Sequence, residues 1–555
     1  MKRSEVTLVG FLFIFSLCVH LFPLTQHLIW GSDTGEYYLL TKRLVEDGYF
    51  TTDYEGWGFG YPYFQGMFIL TGSFTLLTAI PLFDTLRILA PAIASLGVPV
   101  LFLIGRKIFG KSSAGAVAGI FLSVSMPYVF PTSHPMPGAI GNFLLLLIFL
   151  SFLKTREDKR FYLISFLALP AIAITHHLSA FLLFLSLLAS IFLMHQYLKN
   201  QRKFLNLDVL LLLFAYIVFI YFWVFRGGAF AEFVVKPGVL GLNPEYVAIA
   251  GLGIFPLLHI LLRKKILKRI FVYRGKLLSL RETEQRYFFC VALILLIFVP
   301  LVFINIPGTE ISLTPEILYL FLPLMLLYSF AMVGTKLADI FPLGVPLFGF
   351  LVGVSASLLA GVFIVPEVLI PYRHIEFLLL PLAICGGGGA IYFYKIAGKA
   401  KKVLGVFILA LCLLALPSIY PPKTIMVGFQ EGTSAQELEG VLWTRVSPGV
   451  YASDHRMSSM VFGFANMNAT WDTTPATFFS PDVNLTLQEL SHAKAPHKEM
   501  GVNYVLLTAD MKNGCAMSPL EPAKQIPPGV EEKLNSAPFV KVYDNGIVQI
   551  YKTGI

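Results

Sequence analysis

Two acidic residues near the start of the chain are suited to chemistry at a membrane surface. Asp33 and Glu36 lie in the segment Gly31-Ser-Asp-Thr-Gly-Glu-Tyr-Tyr38, directly after an apolar run. Asp-x-x-Glu ahead of an amphipathic stretch is a helix-capping pattern, in which side chains satisfy free backbone groups. The same Asp carboxylate could instead act as a general base or a metal ligand. Spacing alone leaves both interpretations open.

An arginine begins one of the later apolar runs, in the segment Pro371-Tyr372-Arg373-His374. A charge at that depth is costly unless it is paired or ligand-bound, and a guanidinium suits phosphate because it donates two parallel hydrogen bonds. The alternative is that Arg373 snorkels to the lipid surface. Glu310 and Glu316 flank the start of another run. Glu316 also fits a helical first turn, where the helix dipole favours an acid.

Three histidines lie in short segments between apolar runs, at His134, His176 and His177. Imidazole and carboxylate groups are suitable metal ligands, so these residues and Asp33 are candidates for a metal site. No tight spacing such as His-x-x-x-His supports that site, and interfacial histidines without a ligand role are the alternative.

The composition shows what kind of protein must position these residues. The chain has 555 residues, of which 56% are hydrophobic and only 14% are charged. Soluble domains carry about 25% charged residues, and runs of about 20 apolar residues match the thickness of a bilayer. The sequence therefore predicts an all-α polytopic membrane domain rather than a soluble enzyme.

Thirteen apolar runs are long enough to be considered as spans. We predict crossings near 6–30, 88–105, 114–129, 139–153, 161–174, 178–194, 207–225, 246–262, 287–304, 315–333, 343–364, 373–394 and 403–419. The apolar stretch 61–82 is interpreted as a re-entrant or interfacial part of a long first outer loop, residues 31–86. If it crossed, the basic loops that follow would all be inverted against the positive-inside bias.

The formal net charge of +9 has its positive excess in the membrane part, 1–420, and residues 421–555 hold 10 basic and 13 acidic residues. The basic residues cluster in short loops, which indicates positive-inside topology rather than nucleic-acid binding. Residues 421–555 form a polar stretch with short β-like runs, long enough to bury a core. We predict a mixed α/β domain there, on the same extracytoplasmic side as the first outer loop.

These features together resemble the GT-C membrane glycosyltransferases, especially the branch of the oligosaccharyltransferase catalytic subunit. The resemblance rests on Asp33 followed by Tyr37-Tyr38, on Tyr61-Pro62 before an apolar helix, and on an external C-terminal domain. It implies that Asp33, with Glu36 beside it, is the catalytic first-loop carboxylate. It also implies that Arg373, with Tyr372 and His374, holds the phosphate of a lipid-linked donor. Glu316, or else Glu310, corresponds to the glutamate of the fifth outer loop.

Two departures from this family concern the metal and the acceptor. The second outer loop has Thr132-Ser-His134 where the family has an acidic pair, so participation of a divalent metal such as Mg²⁺ or Mn²⁺ stays open. The external domain has Tyr451-Ala-Ser-Asp454-His455-Arg456 in place of Trp-Trp-Asp-Tyr-Gly. We take Asp454, His455, Arg456 and Glu310 as candidates for an acceptor or second site, with Arg456 facing either an anionic acceptor or solvent.

The function expected from the sequence is transfer of a sugar or glycan from a polyprenyl (dolichyl-type) phosphate or pyrophosphate to an acceptor at the outer face. The acceptor would be a lipid, a glycan or a protein. Two alternatives from other classes are a lipid or glycan transporter (a flippase) and a non-catalytic scaffold for envelope assembly. A transporter predicts ionisable residues and broken helices near the bilayer midplane, together with repeated halves.

Overall fold

The computed structural model describes residues 2–50, 54–58, 60–198, 201–226, 244–264, 277–364, 366, 369–422, 430–495, 498–518 and 521–554. Most of the segment that joins the predicted spans 207–225 and 246–262, which we predict to be an outer loop, lies outside these residues. So do residues 265–276, which follow the predicted span 246–262 and belong to one of the predicted basic loops.

The described residues up to 420 form a helical bundle, with one large apolar core and a smaller apolar cluster beside α2 and α3. Its helices are α1 (Arg3–Leu21), α2 (Thr34–Asp47), α3 (Gly66–Thr78), α4 (Leu82–Phe109), α5 (Ser112–Ser123), α6 (Met126–Thr132), α7 (Pro137–Lys154), α8 (Phe161–Thr175), α9 (His177–Tyr197), α10 (Leu205–Ile220), α11 (Pro244–Leu252), α12 (Ile254–Lys264), α13 (Leu280–Phe298), α14 (Pro315–Ser329), α15 (Ala331–Ala338), α16 (Gly344–Phe363), α17 (Ile375–Ile396) and α18 (Lys401–Ala415).

Every predicted span falls on one or more of these helices, and the chain is an integral membrane protein. Nine helical segments of the described chain are long and apolar enough to cross a bilayer, and the pair α5–α6, bent by 63°, makes a tenth. The predicted spans 161–174, 246–262 and 403–419 fall on shorter helices. Fifteen residues of helix, as in α8, extend only about 22 Å, less than a hydrocarbon core of about 30 Å. Thirteen crossings therefore stay a prediction.

The basic loops gather at one end of the bundle. Arg106 at the end of α4 pairs with Glu5 at 2.9 Å. Lys107 pairs with Glu157 of the next predicted basic loop at 2.6 Å. This common end is the arrangement that the positive-inside interpretation requires.

The C-terminal part is a small α/β unit, as the sequence predicts. Its elements are β2 (Gly432–Thr433), α19 (Ala435–Trp443), β3 (Val450–Ala452), α20 (His455–Met460), β4 (Asn468–Ala469), α21 (Pro475–Phe479), α22 (Val483–Ser491), β5 (Tyr504–Thr508), α23 (Ala509–Asn513), α24 (Pro528–Leu534), β6 (Val540–Asp544) and β7 (Val548–Lys552). Five strands form a sheet in the order β4-β3-β5-β7-β6, with β3 parallel to both β4 and β5 and with β7 antiparallel to both β5 and β6.

The first outer loop is joined to this C-terminal unit. A short strand after the first span, β1 (Ile29–Trp30), pairs antiparallel with β2, in the register Ile29 to Thr433. The backbone N–H of Ser32 donates to Glu431 at 2.8 Å. These contacts place the start of α2, and therefore Asp33, against the C-terminal unit.

Candidate active site

Two glycines let α2 and helix α20 of the C-terminal unit approach backbone to backbone. A Cβ on Gly35 would lie 2.0 Å from the carbonyl oxygen of Ser459, at the end of α20. A Cβ on Gly463, in the turns that follow α20, would lie 1.9 Å from the carbonyl oxygen of Gly35. Side chains at either position would push the two helices apart. This close contact brings His455, the first residue of α20, to Asp33.

Asp33 is held by side chains from three segments of the chain. One carboxylate oxygen lies 3.1 Å from His455 Nε2, and the other accepts from the Tyr61 hydroxyl at 2.9 Å. The Tyr37 hydroxyl lies 3.4 Å from the same oxygen as Tyr61. Asp33 stands at the start of α2 but makes no side-chain cap. The capping interpretation is therefore wrong, because the carboxylate points to these neighbours instead of to the helix backbone.

The Asp33–His455 pair favours the charged form of both partners. Burial acts to raise the pKa of Asp33, but the hydrogen bond and charge of His455, helped by Tyr61 and Arg373, outweigh it and lower that pKa. Burial acts to lower the pKa of His455, but the hydrogen bond and charge of Asp33 outweigh it and raise that pKa. The Asp33 side chain is 26% exposed and the His455 side chain 5% exposed. Asp33 is thus an ionised carboxylate that a substrate can reach.

Glu36 lies one turn along α2 and has a different environment. It is 0% exposed, and one of its oxygens accepts from the Tyr54 hydroxyl and from the Gly58 backbone at 3.1 Å. Its other oxygen is buried and has no partner among the described residues. Burial, assisted by the negative charge of Asp33, raises the pKa of Glu36 to about 7. Glu36 ties the loop at 54–58 to α2, and it offers no surface to a substrate.

Arg373 faces the same region from the membrane domain. It lies in a single 3₁₀ turn, Pro371–His374, ahead of α17, and its side chain is exposed. Its charge acts on Asp33, Tyr37, His176 and His177, so the guanidinium lies within electrostatic range of Asp33. A carboxylate is suited to accept a proton and a guanidinium is suited to bind a phosphate.

The two neighbours of Arg373 have different surroundings. Tyr372 is partly buried, and its ring centroid lies 6.0 Å from the Arg373 guanidinium carbon. His374 is fully buried, with Nε2 at 2.8 Å from Ser357 Oγ on α16. This contact makes His374 an anchor for the turn that presents Arg373. It does not support the predicted phosphate contact of His374.

Glu310 and Glu316, which precede the Arg373 turn in the chain, make no contact with Asp33 among the described residues. Glu310 lies in a short hairpin in which Asn305 pairs antiparallel with Ser312. Glu310 and Glu316 are exposed, and within the described residues neither makes a hydrogen bond or an ion pair. Glu316 sits in the first turn of α14 after Pro315, the structural alternative considered above. The hairpin does reach the Arg373 turn, since Gly308 packs beside Pro371. A catalytic role for Glu316 therefore stays a prediction, as does an acceptor role for Glu310.

The predicted metal ligands do not form a metal site. No group of three His, Cys, Asp or Glu side chains able to share an ion occurs in the described part of the chain. His134 packs edge-on against Trp30 at 5.7 Å. His176 Nδ1 lies 2.8 Å from Ser179 Oγ and accepts from its backbone N–H, at the start of α9, and the His176 ring contacts His177. The Asp33 oxygens contact His455 and Tyr61, and His134 Nε2 is buried without a partner among the described residues, so participation of a divalent cation stays a prediction.

Two predicted acceptor residues are structural. Asp454 caps α20 by accepting from the Met457 backbone at 2.8 Å and is 3% exposed. Arg456, also 3% exposed, pairs with Glu437 at 2.7 Å and donates to the Gly432 carbonyl at 2.9 Å. Both predictions for Arg456, that it faces an anionic acceptor or that it faces solvent, are therefore wrong. Its charge is buried and needs these internal partners.

Sequence reasoning missed several aromatic residues of the site. Tyr54 binds Glu36, Tyr61 binds Asp33, and the Trp57 ring stands edge-on to the His455 ring at 4.6 Å. All three lie between Tyr54 and Tyr61, a short stretch rich in aromatics and glycine. That density of aromatics in an outer loop was the available signal.

Comparison with solved structures identifies the fold. No protein-family model and no curated protein sequence matches the chain. Among solved structures, the Archaeoglobus fulgidus oligosaccharyltransferase tethered with an acceptor peptide containing the NVT sequon matches with a TM-score of 0.61, at 11% identity, over 92% of this chain and 70% of that one. The chain has the GT-C fold. An archaeal oligosaccharyltransferase from the same organism, in complex with an inhibitory peptide and a dolichol-phosphate, matches this GT-C chain with a TM-score of 0.55, at 12% identity, over 92% and 70% of the two chains. The sequence expectation of a GT-C membrane domain with an oligosaccharyltransferase-like architecture is confirmed.

Proposed function

We propose that this chain is a membrane glycosyltransferase that takes a sugar or glycan from a polyprenyl phosphate or pyrophosphate of the dolichyl type. The observation that supports this most directly is an ionised, partly exposed Asp33 within electrostatic range of an exposed Arg373. The GT-C fold supports it as well, since the solved relatives include an oligosaccharyltransferase in complex with a dolichol-phosphate.

In this proposal the two charged groups divide the chemistry. The acceptor nucleophile loses its proton to the Asp33 carboxylate as it forms a bond to the anomeric carbon of the donor sugar. The bond between that carbon and the phosphate oxygen breaks, and the oxygen leaves with the electron pair. Arg373 neutralises the charge that develops on the phosphate. His455 keeps Asp33 ionised before the proton arrives.

In this proposal the reaction takes place on the extracytoplasmic side of the cell membrane. A lipid-linked donor keeps its tail in lipid and its sugar in water, so its reacting bond lies near the ends of the spans. Asp33, His134, His176, Arg373 and the external domain all belong to the end opposite the basic loops, which positive-inside topology assigns to the outside.

The acceptor is proposed to be a lipid, a glycan or a protein site other than an Asn-x-Thr sequon. Reading the hydroxyl of a sequon requires a pocket with specific buried polar partners. The residues at the corresponding position are occupied otherwise, since Asp454 caps a helix and Arg456 pairs with Glu437. We expect purified protein to transfer no sugar to an Asn-x-Thr peptide. Transfer that is lost when the Thr becomes Ala would contradict this proposal.

The test is transfer of radiolabelled sugar from lipid-linked sugars extracted from the host membranes, in proteoliposomes. Asp33→Asn removes the charge and keeps the shape, so it should abolish transfer while the protein remains folded. Asp472→Asn, at an exposed position of the external unit, is the matched control. Transfer by Asp33→Asn at the parent rate would refute the proposed base. Movement of labelled lipid across the bilayer without transfer would favour a flippase instead.

A further inference from the structure

Two adjoining cavities lie where α2 meets the C-terminal unit. One encloses about 300 Å³ and the other about 360 Å³. Both are at the lower end of the size range of small-molecule pockets, about 300–1,000 Å³. Arg43 and Asn466 line both cavities, so they form one continuous depression, which we call the α2 groove. Its further lining residues include Lys42, Glu46, Glu55, Arg445, Phe462 and Asn468.

The lining of the α2 groove has the chemistry of a sugar site. Asn466 and Asn468 each carry an amide that both donates and accepts hydrogen bonds, which suits hydroxyl groups. Phe462, which is 6% exposed, adds a small apolar surface to the lining. A purely hydrophobic ligand is poorly matched to a groove bordered by so many charged and amide groups.

Arg43 gives the α2 groove an unpaired positive charge. Lys42 lies 3.7 Å from Glu46, and Glu55 pairs with Lys498 at 2.5 Å. Among the described residues, Arg43 makes no hydrogen bond or ion pair, although it is partly buried between the two cavities. A guanidinium in this position is available for a carboxylate or a sulfate, which it can bind with two parallel hydrogen bonds.

The α2 groove lies close to the candidate active site. Asp33 and Arg43 lie ten residues apart along α2, which corresponds to about 15 Å of helix. Phe462, which lines the groove, has its ring centroid 5.8 Å from that of Tyr54, and the Tyr54 hydroxyl binds Glu36. The groove therefore begins one aromatic ring away from Glu36. The sugar next to the phosphate would not reach Arg43, but a later unit of the same glycan would.

We propose that the α2 groove binds an anionic sugar unit of a glycan whose reacting end lies at Asp33. This inference rests on the proposed function for the identity of the glycan, either donor or acceptor. Binding of the anionic sugar itself is independent of transfer. The determinant is Arg43, with Asn466 and Asn468 as hydrogen-bonding partners for the sugar hydroxyls.

The first experiment measures binding without any reaction. The probes are cellobiouronic acid, a disaccharide that carries one carboxylate, and cellobiose, its neutral counterpart, observed by saturation-transfer NMR with the full-length protein in detergent. We expect the acid to bind the parent about tenfold or more tightly than cellobiose does. Arg43→Gln should abolish that preference, and Arg43→Lys, which keeps the charge without the planar fork, should retain part of it.

The control is Arg281→Gln, the same substitution at an exposed arginine at the start of α13. It should bind both disaccharides as the parent does. Equal binding of the two disaccharides by the parent would overturn the role of Arg43, and binding of neither would overturn the site. If the acid binds through Arg43 but no transferase activity exists, the proposed function fails while the groove stands.

A second experiment identifies which glycan uses the groove. In the transfer assay, Arg43→Gln should raise KM by about tenfold for the substrate that carries the anionic sugar and leave the other KM unchanged. A raised donor KM assigns the groove to the donor glycan, and a raised acceptor KM assigns it to the acceptor. If Arg43→Gln kept the parent KM for both substrates, a role of the α2 groove in transfer would be refuted.

Discussion

Replacement of His455 by glutamine should shift the pH dependence of transfer in a direction that the structure specifies. His455 is the largest favourable influence on the Asp33 carboxylate, through a hydrogen bond of 3.1 Å and through its charge. Glutamine can still donate a hydrogen bond but carries no charge. The pKa of Asp33 should therefore rise, so that the acid limb of the kcat/KM profile moves to higher pH.

The alkaline limb of the kcat/KM profile should change as well. Asp33 raises the pKa of His455 above its usual range, so the imidazolium persists to a higher pH than a free histidine would allow. Parent activity should fall as the pH rises through that pKa and the charge supporting Asp33 is lost. The variant has no such group, and its profile should lack this decline.

The expected loss in kcat/KM follows from the strength of the charged hydrogen bond between His455 and Asp33. A hydrogen bond to a charged group contributes about 1.5–3 kcal/mol, and 1.36 kcal/mol corresponds to a factor of ten. Because Asp33 is 26% exposed and solvent screens part of its interaction, we use the lower end. The variant should lose about tenfold in kcat/KM at the pH where the parent is most active.

Thermal unfolding gives an independent readout with a defined sign. A raised histidine pKa contributes stability that is fully present below about pH 6.5, the value of a free imidazole, and is lost as the pH rises through the folded-state pKa. His455→Gln should therefore be less stable than the parent between about pH 4 and pH 6.5, where Asp33 is ionised and the imidazole is protonated, and the gap should shrink as the pH rises further.

The control is His492→Gln, at an exposed histidine that pairs with Glu499 at 2.6 Å. Exposed pairs contribute little, so this variant should keep the parent profile. Acid limbs that coincide in His455→Gln and the parent would refute the coupling of His455 to Asp33.

Three further predictions concern the donor, the helix contact and the topology. Arg373→Ala should weaken binding of dolichyl phosphate, measured by native mass spectrometry, by about tenfold or more because a guanidinium–phosphate contact is lost; parent affinity would exclude this role. Gly463→Ala should lower the stability by about 1–3 kcal/mol in thermal unfolding, since its Cβ would overlap the α2 backbone. Gly10→Ala, with nothing within 4 Å, should have no such cost, and equal stability of the two variants would contradict the close contact. Cysteines introduced at Ser32 and Ser480 should react with an impermeant reagent from the same, outer side, and labelling from opposite sides would exclude the topology.

The membrane architecture could be predicted from the sequence because the signal is local. A run of about 20 apolar residues is stable as a helix in lipid whatever its neighbours are. Each predicted span accordingly falls on a helix, and a separate α/β unit follows. Arg373 could be singled out for the same reason, since a charge at the start of an apolar run is visible in the sequence itself.

The surroundings of the charged residues were decided only by the tertiary structure. Asp-x-x-Glu has the spacing of a helix cap, yet Asp33 binds a histidine 422 residues away. Nothing in the sequence around Arg456 predicts that this charged residue is buried, yet it lies against Glu437 in the interior. Local spacing cannot distinguish these outcomes, because they depend on which surfaces meet. Here the contact depends on Gly35 and Gly463, whose missing side chains let α2 lie directly against the C-terminal unit and bring His455 to Asp33.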